Sequence, residues 1–232
     1  MAISEEILLR EKKRYNLVQT VSEQEKILLN QGMPVQKIIG YIEMQDVRIY
    51  LQYKVLIPRY ETEEVILKAL EYINVNSEVL DLCAGSGFIG LAIKKKTNAH
   101  LTLSDIDAEA IKQMQFNAKY NNLKVKIIQS DLFLNLPEKK YDVIVSNPPY
   151  IPQGMSLDKS IIDYEPLHAL FAKNQGNYFY QKILQEAPKY LNKNGVIIFE
   201  IADWNVDFFK TIKGVEIFRD INQKQRIAVV KF

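Results

Sequence analysis

From residue 78 onward the chain alternates short apolar runs with helix-length amphipathic stretches, and it breaks that alternation once, at its end. Strands are expected at 78–83, 100–105, 125–129, 141–146, 195–201, 215–219 and 226–231, with helices near 87–96, 107–121 and 177–192. Strands separated by helices can lie parallel, because a parallel crossover needs a dozen or more residues. Only Asp220 to Gln225 separate the last two strands, too few for a crossover, so those two should pair antiparallel. The expected fold is therefore α/β: a seven-stranded, mostly parallel sheet whose last strand is reversed.

Upstream the pattern changes. Ile7, Leu8, Tyr15, Val18, Val21, Ile27 and Leu28 recur at helical spacing, and Ser4-Glu5-Glu6 has the acids of a first helical turn. Ser22 with Glu25 three residues on predicts a capping box, and Asn30-Gln-Gly-Met-Pro34 closes the stretch. Residues 1–33 read as a short helical appendage. Residues 34–57 read as a β-hairpin linker, with runs Ile38–Ile42 and Val47–Tyr53 around a turn at Glu43–Asp46. Residues 58–232 form the main domain, which begins with a helix over Glu64–Ile73.

The composition excludes several classes. Net charge is +2, too small to make a polyanion the main ligand. The basic clusters Arg10, Lys12, Lys13, Arg14 and Lys94-Lys95-Lys96 read as solvated helix faces. One cysteine, Cys83, allows neither an internal disulfide nor a multi-cysteine metal site, so no metal is expected. The N-terminus lacks the pattern of a signal peptide, and no apolar run approaches the ~18 residues of a membrane span. A soluble, cytoplasmic protein is expected.

Val79 to Gly90 is a strand, a Gly-containing turn and a helix start. Within Cys83-Ala84-Gly85-Ser86-Gly87 the glycines let the backbone approach a ligand, and the helix N-terminus adds N–H donors. The Lys-Ser/Thr pair of a phosphate-binding loop is missing. About twenty residues on, a strand ends in Asp105, suited to ribose hydroxyls; the next ends in Asp131-Leu132, suited to an adenine amino group. With Asp81, three successive strands carry acids at their ends, which fits a sulfonium cation better than a pyrophosphate. Asp107 reads as a helix cap, and Cys83 as a small packing residue.

Asn147-Pro148-Pro149-Tyr150 follows the strand 141–146. An amide, two φ-fixed prolines and an aromatic make a stiff wall that can hold a planar NH2 by its hydrogens and stack on its face. The plainer alternative is a Pro-rich strand exit that stops a helix.

Together these segments resemble the HemK/PrmC family of protein-(glutamine-N5) methyltransferases. The resemblance is carried by Pro34–Gly40, Ile57-Pro-Arg-Tyr-Glu-Thr-Glu63, Asp81–Gly90, Gln129–Phe133, Val143–Pro152, Tyr164-Glu-Pro166, Gly176–Leu191, Phe199-Glu-Ile201 and the Arg219-Asp220 hairpin. It implies a class I S-adenosylmethionine-dependent methyltransferase fold. It implies S-adenosyl-L-methionine as cofactor, S-adenosyl-L-homocysteine as product, and the Gly-Gly-Gln glutamine of peptide chain release factors as acceptor. Asp81, Cys83, Ala84, Gly85, Ser86, Gly87, Asp105, Asp131, Leu132 and Asn147 are then the expected cofactor residues. Asn147, Pro148 and Tyr150 are expected to be catalytic. The Asn147 side-chain oxygen and the Pro148 carbonyl would accept the amide hydrogens, with Tyr150 stacked on the amide plane. Pro149, Arg59 and Glu61 complete the substrate set, although Arg59 and Glu61 read equally as an ion-pair network tying the hairpin to the domain. Tyr164-Glu165-Pro166 reads as part of a substrate loop, with Glu165 alternatively a backbone anchor, and His168 as structural.

The chain departs from the family in its short N-terminal helical region, Tyr60 in place of a proline, Cys-Ala-Gly in the glycine loop, and Ala202 in place of a glycine. A monomer without stable nucleic-acid binding is expected. The rival readings are a methyltransferase of a ribosomal-protein glutamine or of an exocyclic base amine, and a silent cofactor-binding module.

Overall fold

The computed structural model describes residues 3–232. The N-terminal helices are α1 (Glu5–Arg14), α2 (Glu23–Asn30) and α3 (Val35–Ile39). Ser22 and Glu25 form the expected capping box at α2. Lys12 is not a solvated charge: it is buried, and its Nζ bonds the Thr20 carbonyl at 2.7 Å and Glu25 at 2.6 Å, tying α1 to α2. Ile38 and Ile39 are helical, not extended as expected. Leu8, Leu29 and Val35 bury against them, and Gly40, at φ +90°, ends the turn. Here tertiary packing overrides β-branched propensity.

The hairpin is β1 (Tyr41–Met44) and β2 (Val47–Tyr50), so its strands are shorter than expected. Its turn is only Gln45-Asp46, at φ 50° and 64°, because a two-residue connection with both φ positive matches the strands' twist. Among the described residues, the outer edge of β2 has no strand partner. An amide ladder on a later helix, α6 (Ala108–Tyr120), takes its place, with Gln113 and Asn117 on the helix and Asn121 at its C-cap, at i, i+4 and i+8. Tyr53 N donates to Gln113 Oε1, Tyr50 N to Asn117 Oδ1, and Arg48 N to Asn121 Oδ1, at 2.9, 2.9 and 3.0 Å. Asn117 Nδ2 also donates to the Ser86 carbonyl at 2.9 Å, joining hairpin to glycine loop.

The rest alternates as expected: α4 (Thr62–Leu70), β3 (Glu78–Leu82), α5 (Phe88–Lys96), β4 (His100–Asp105), α6 (Ala108–Tyr120), β5 (Lys126–Gln129) and β6 (Tyr141–Ser146). Then come β7 (Ile151–Pro152), α7 (Lys159–Tyr164), β8 (Phe171–Ala172), α8 (Tyr178–Glu186), β9 (Leu191–Glu200), α9 (Val206–Lys210), β10 (Val215–Arg219) and β11 (Gln225–Lys231). α8 stops short of the expected 192 and passes into a 3-10 turn containing Pro188, which cannot donate to a helix. β9 begins early because Leu191 pairs with Tyr141, before an irregularity ahead of Val196.

Seven strands run in the order β10-β11-β9-β6-β3-β4-β5. β11 is antiparallel to both neighbours, and the reversed strand therefore lies inside the sheet, not at its edge. Side chains alternate across it. Val79, Leu103, Val143 and Ile198 face α4, α5, α6 and the hairpin, whereas Leu80, Ile144, Ile197 and Phe199 face α8 and α9. The parallel strands β3, β4, β5 and β6 end together, with Leu82 opposite Ser104 and Ser146, and Asp105 opposite Gln129. No helix among the described residues is long and apolar enough to cross a membrane.

Asn117→Ala strips partners from the backbone of Tyr50 and Ser86 at a fully buried position. It is expected to destabilise by about 2–4 kcal/mol, read in urea unfolding, since each stranded buried group costs about 1–3 kcal/mol.

Candidate active site

The loop after β3 takes left-handed backbone three times, at Cys83 (φ 62°), Gly85 (54°) and Gly87 (83°). Such conformations strain a residue bearing a Cβ, so Cys83 sits where glycine is favoured. Burial pushes its thiol well above the usual range, which leaves it a packing group and not a nucleophile. A Cβ added at Gly85 would meet nothing within 4 Å, and Gly85 lines the central cavity; a ligand can reach its backbone. Gly87 caps α5 instead and does not line the cavity.

Asp105 organises this loop. Its Oδ2 accepts from Gly85 N at 2.8 Å and its Oδ1 from Asp107 N at 2.9 Å. Burial raises its carboxyl above the usual range, partly offset by those two N–H donors. Asp81 is placed differently from the expectation of a cofactor contact. It is fully buried beneath the loop, off the cavity wall, and its Oδ2 accepts from Gly90 N at 2.7 Å, pinning α5. Burial, against that hydrogen bond, pushes Asp81 up to about 7. Asp107 caps α6 as read, accepting from Glu109 N at 2.9 Å.

The cavity, about 210 Å³, is lined by Cys83, Ala84, Gly85, Ser86, Asp105, Asp107, Asp131, Leu132, Asn147 and Pro149 from the strand ends. Val55, Pro58, Pro166 and His168 close the far side. Among the described residues, three acids and no lysine or arginine line it. That donor set, with the open backbone at Gly85, fits a ligand rich in hydroxyls and carrying a positive charge. S-adenosylmethionine has that character; a phosphate ester does not.

Asn147 and Pro149 face the cavity, and Pro148 is buried behind them. Ser146 Oγ donates to the Leu82 carbonyl at 2.6 Å, locking the end of β6 to that of β3. Tyr150 does not line the cavity, contrary to the stacking expected of it. Its hydroxyl donates to Glu200 Oε1 at 3.3 Å, and its carbonyl accepts from Trp204 Nε1 at 2.9 Å. A Cβ at Gly176 would stand 2.1 Å from that carbonyl, so only glycine fits there. Tyr150 is thereby the wall's anchor. Burial beside the Glu200 carboxylate drives its hydroxyl's pKa upward.

Glu200 is a residue sequence reasoning missed. It is fully enclosed, accepts from Thr62 Oγ1 at 2.7 Å, and binds the start of α4 to the wall; burial raises its carboxyl. The available signal was an acid ending an otherwise apolar strand, Phe199-Glu-Ile201.

Arg59 is held in an ion pair with Glu165. Arg59 donates to Glu165 Oε1 at 2.6 Å and to the Ile57 carbonyl at 2.5 Å, while Ile57 N donates to Glu165 Oε2 at 3.0 Å. Glu165 is only 1% exposed, which makes it the backbone anchor. Pro58 and Pro166, beside this pair, line the cavity, but Arg59 and Glu61 do not. Tyr60 turns the other way and donates to Glu11 on α1 while Arg14 lies 4.1 Å over its ring.

Residues 61–230 match the family model "Methyltransferase small domain". The chain is 37% identical to the release factor glutamine methyltransferase of Lactococcus lactis, across 97% of this chain and 86% of that one. It is 35% identical to that of Streptococcus pneumoniae, across 99% and 80%. In fold it is similar to a methyltransferase from Pyrococcus furiosus, with a TM-score of 0.62 and 21% identity over 90% of this chain and 96% of that one.

Asp81 makes stability pH-dependent in the cofactor-free protein. Its folded pKa lies above the unfolded value, so stability is full below about pH 4 and is lost as pH rises through about 7. Urea unfolding at pH 5 and pH 8 should show Asp81→Asn gaining on the parent mainly at pH 8, because the amide keeps an acceptor for Gly90 N without the charge.

Proposed function

The chain belongs to the family of release factor glutamine methyltransferases, and from that membership and this geometry we propose that it methylates the side-chain amide nitrogen of the Gly-Gly-Gln glutamine of peptide chain release factors. One observation carries the reading. Asn147 and Pro149 stand on the wall of the same cavity that holds Gly85, Asp105 and Asp131. A planar amide and a methyl donor bound to these residues would share one chamber.

When bound, S-adenosylmethionine supplies an electrophilic methyl group on a sulfonium. Asp105 would take the ribose hydroxyls, Asp131 and Leu132 the adenine edge, and Ala84 to Ser86 the remaining backbone contacts. A glutamine nitrogen is a weak nucleophile because its lone pair is delocalised into the carbonyl. Asn147 Oδ1 and the Pro148 carbonyl would each accept one of its hydrogens and so aim the nitrogen. Rigidity does most of this work: the two prolines fix φ, and Tyr150, Glu200 and Gly176 hold the wall from behind. No side-chain base is needed, since an N-alkylated amide sheds its extra proton readily to water. Pro58 and Pro166, fixed by Arg59–Glu165, form the opposite lip.

Labelled methyl from S-adenosylmethionine should pass to a purified release factor with the wild-type chain. With Asn147→Ala the turnover number should fall on the order of a hundred-fold, the scale of a misplaced reacting group, while cofactor affinity measured by calorimetry stays within a few-fold. Loss of affinity with turnover of bound cofactor intact would refute this division of roles.

A further inference from the structure

One solvent-exposed contact joins two residues of the cavity lining and has no part in the scheme above. His168 Nε2 lies 3.1 Å from Asp107 Oδ2. His168 belongs to the turn Leu167–Ala169, and Asp107 follows β4 on the opposite wall; both line the cavity. The turn is short and held at both ends by buried groups. Glu165 is fixed by Ile57 N and Arg59, and the carbonyl of buried Leu170 accepts from Ile151 N at 2.9 Å. Between these anchors, the residues Leu167 to Ala169 bury nothing.

The pair itself is far more open than its neighbour Arg59–Glu165. The His168 side chain is 56% exposed and that of Asp107 20% exposed. Asp107 is otherwise well held, since its Oδ1 caps α6 and its N–H donates to Asp105 Oδ1. The movable partner is thus His168, a solvent-facing side chain on a turn without buried residues. Exposed side chains of this kind change rotamer in picoseconds to nanoseconds, and exposed pairs of this kind are weak.

We propose that His168 is a gate: its contact with Asp107 spans the mouth of the cofactor cavity and governs how fast cofactor enters and product leaves, an inference that rests on the cavity being the S-adenosylmethionine site. A gate changes both rates together. It raises the barrier between free and bound states without contributing selectively to either, and it differs in this from a direct contact, whose loss speeds only departure.

The test is surface plasmon resonance on the immobilised full chain, with S-adenosylmethionine and S-adenosylhomocysteine as analytes. His168→Ala is expected to raise association and dissociation rates by about two- to five-fold each, the scale of a weak exposed pair, with Kd changing by less than that. His168→Gln, which keeps a donor able to reach Asp107, should return both rates toward wild type. Urea unfolding should be unchanged in both variants, because the side chain is mostly exposed. Unaltered rates in His168→Ala, or a faster dissociation alone with Kd weakened in proportion, would overturn the gate. Failure of the wild-type chain to bind either analyte would instead overturn the assignment of the cavity.

Discussion

Everything at the site depends on the in-register parallel pairing of β3, β4, β5 and β6. Parallel strands covered on both faces must be apolar along their length, as Val79, Leu80, Leu101, Leu103, Val143 and Ile144 are. Polar chemistry is therefore concentrated at the strand ends. Register then puts the end of each strand beside the next: Leu82 against Ser104 and Ser146, and Asp105 against Gln129. The glycine loop, the acids and the Asn147 wall converge because their strands stop at one line.

Convergence alone would leave the loops slack. What stiffens them is a set of carboxylates, each accepting at least one hydrogen bond from a neighbouring loop, helix or strand. Asp81 holds α5 through Gly90, and Asp105 holds Gly85 and Asp107. Glu165 holds Ile57 and Arg59, and Glu200 holds Thr62 and Tyr150. Hydrogen bonds offset the cost of burying a carboxylate, and removing a donor adds a large penalty. The same bonds that make these acids tolerable fix the walls to within the tolerance that methyl transfer between two bound groups demands.

The strands, the reversed β11 and the cavity acids Asp105 and Asp131 were legible in the sequence, because each is written locally: an apolar run, a short connection, an acid at a strand end. What escaped is written at long range. Glu200 meets Thr62 138 positions away, and Glu165 meets Arg59 106 positions away. No local pattern announces either partner. Tyr150 misled because an aromatic after two prolines reads as a ligand platform, while Gly176 and Glu200 turn it inward. Ile38 and Ile39 misled because β-branched residues suggest a strand until packing on Leu8 and Leu29 is known. Lys12 misled because its partner Glu25 sits on another helix.

The central claim is that this rigid wall presents a protein glutamine to the methyl donor. The most direct measurement is peptide-level mass spectrometry of a release factor after incubation with the wild-type chain and S-adenosylmethionine. The account predicts one added methyl group, on the side-chain amide of the Gly-Gly-Gln glutamine and nowhere else in the factor. A methyl found on another residue, or found only on ribosomal protein or RNA when these are offered alongside, would contradict it.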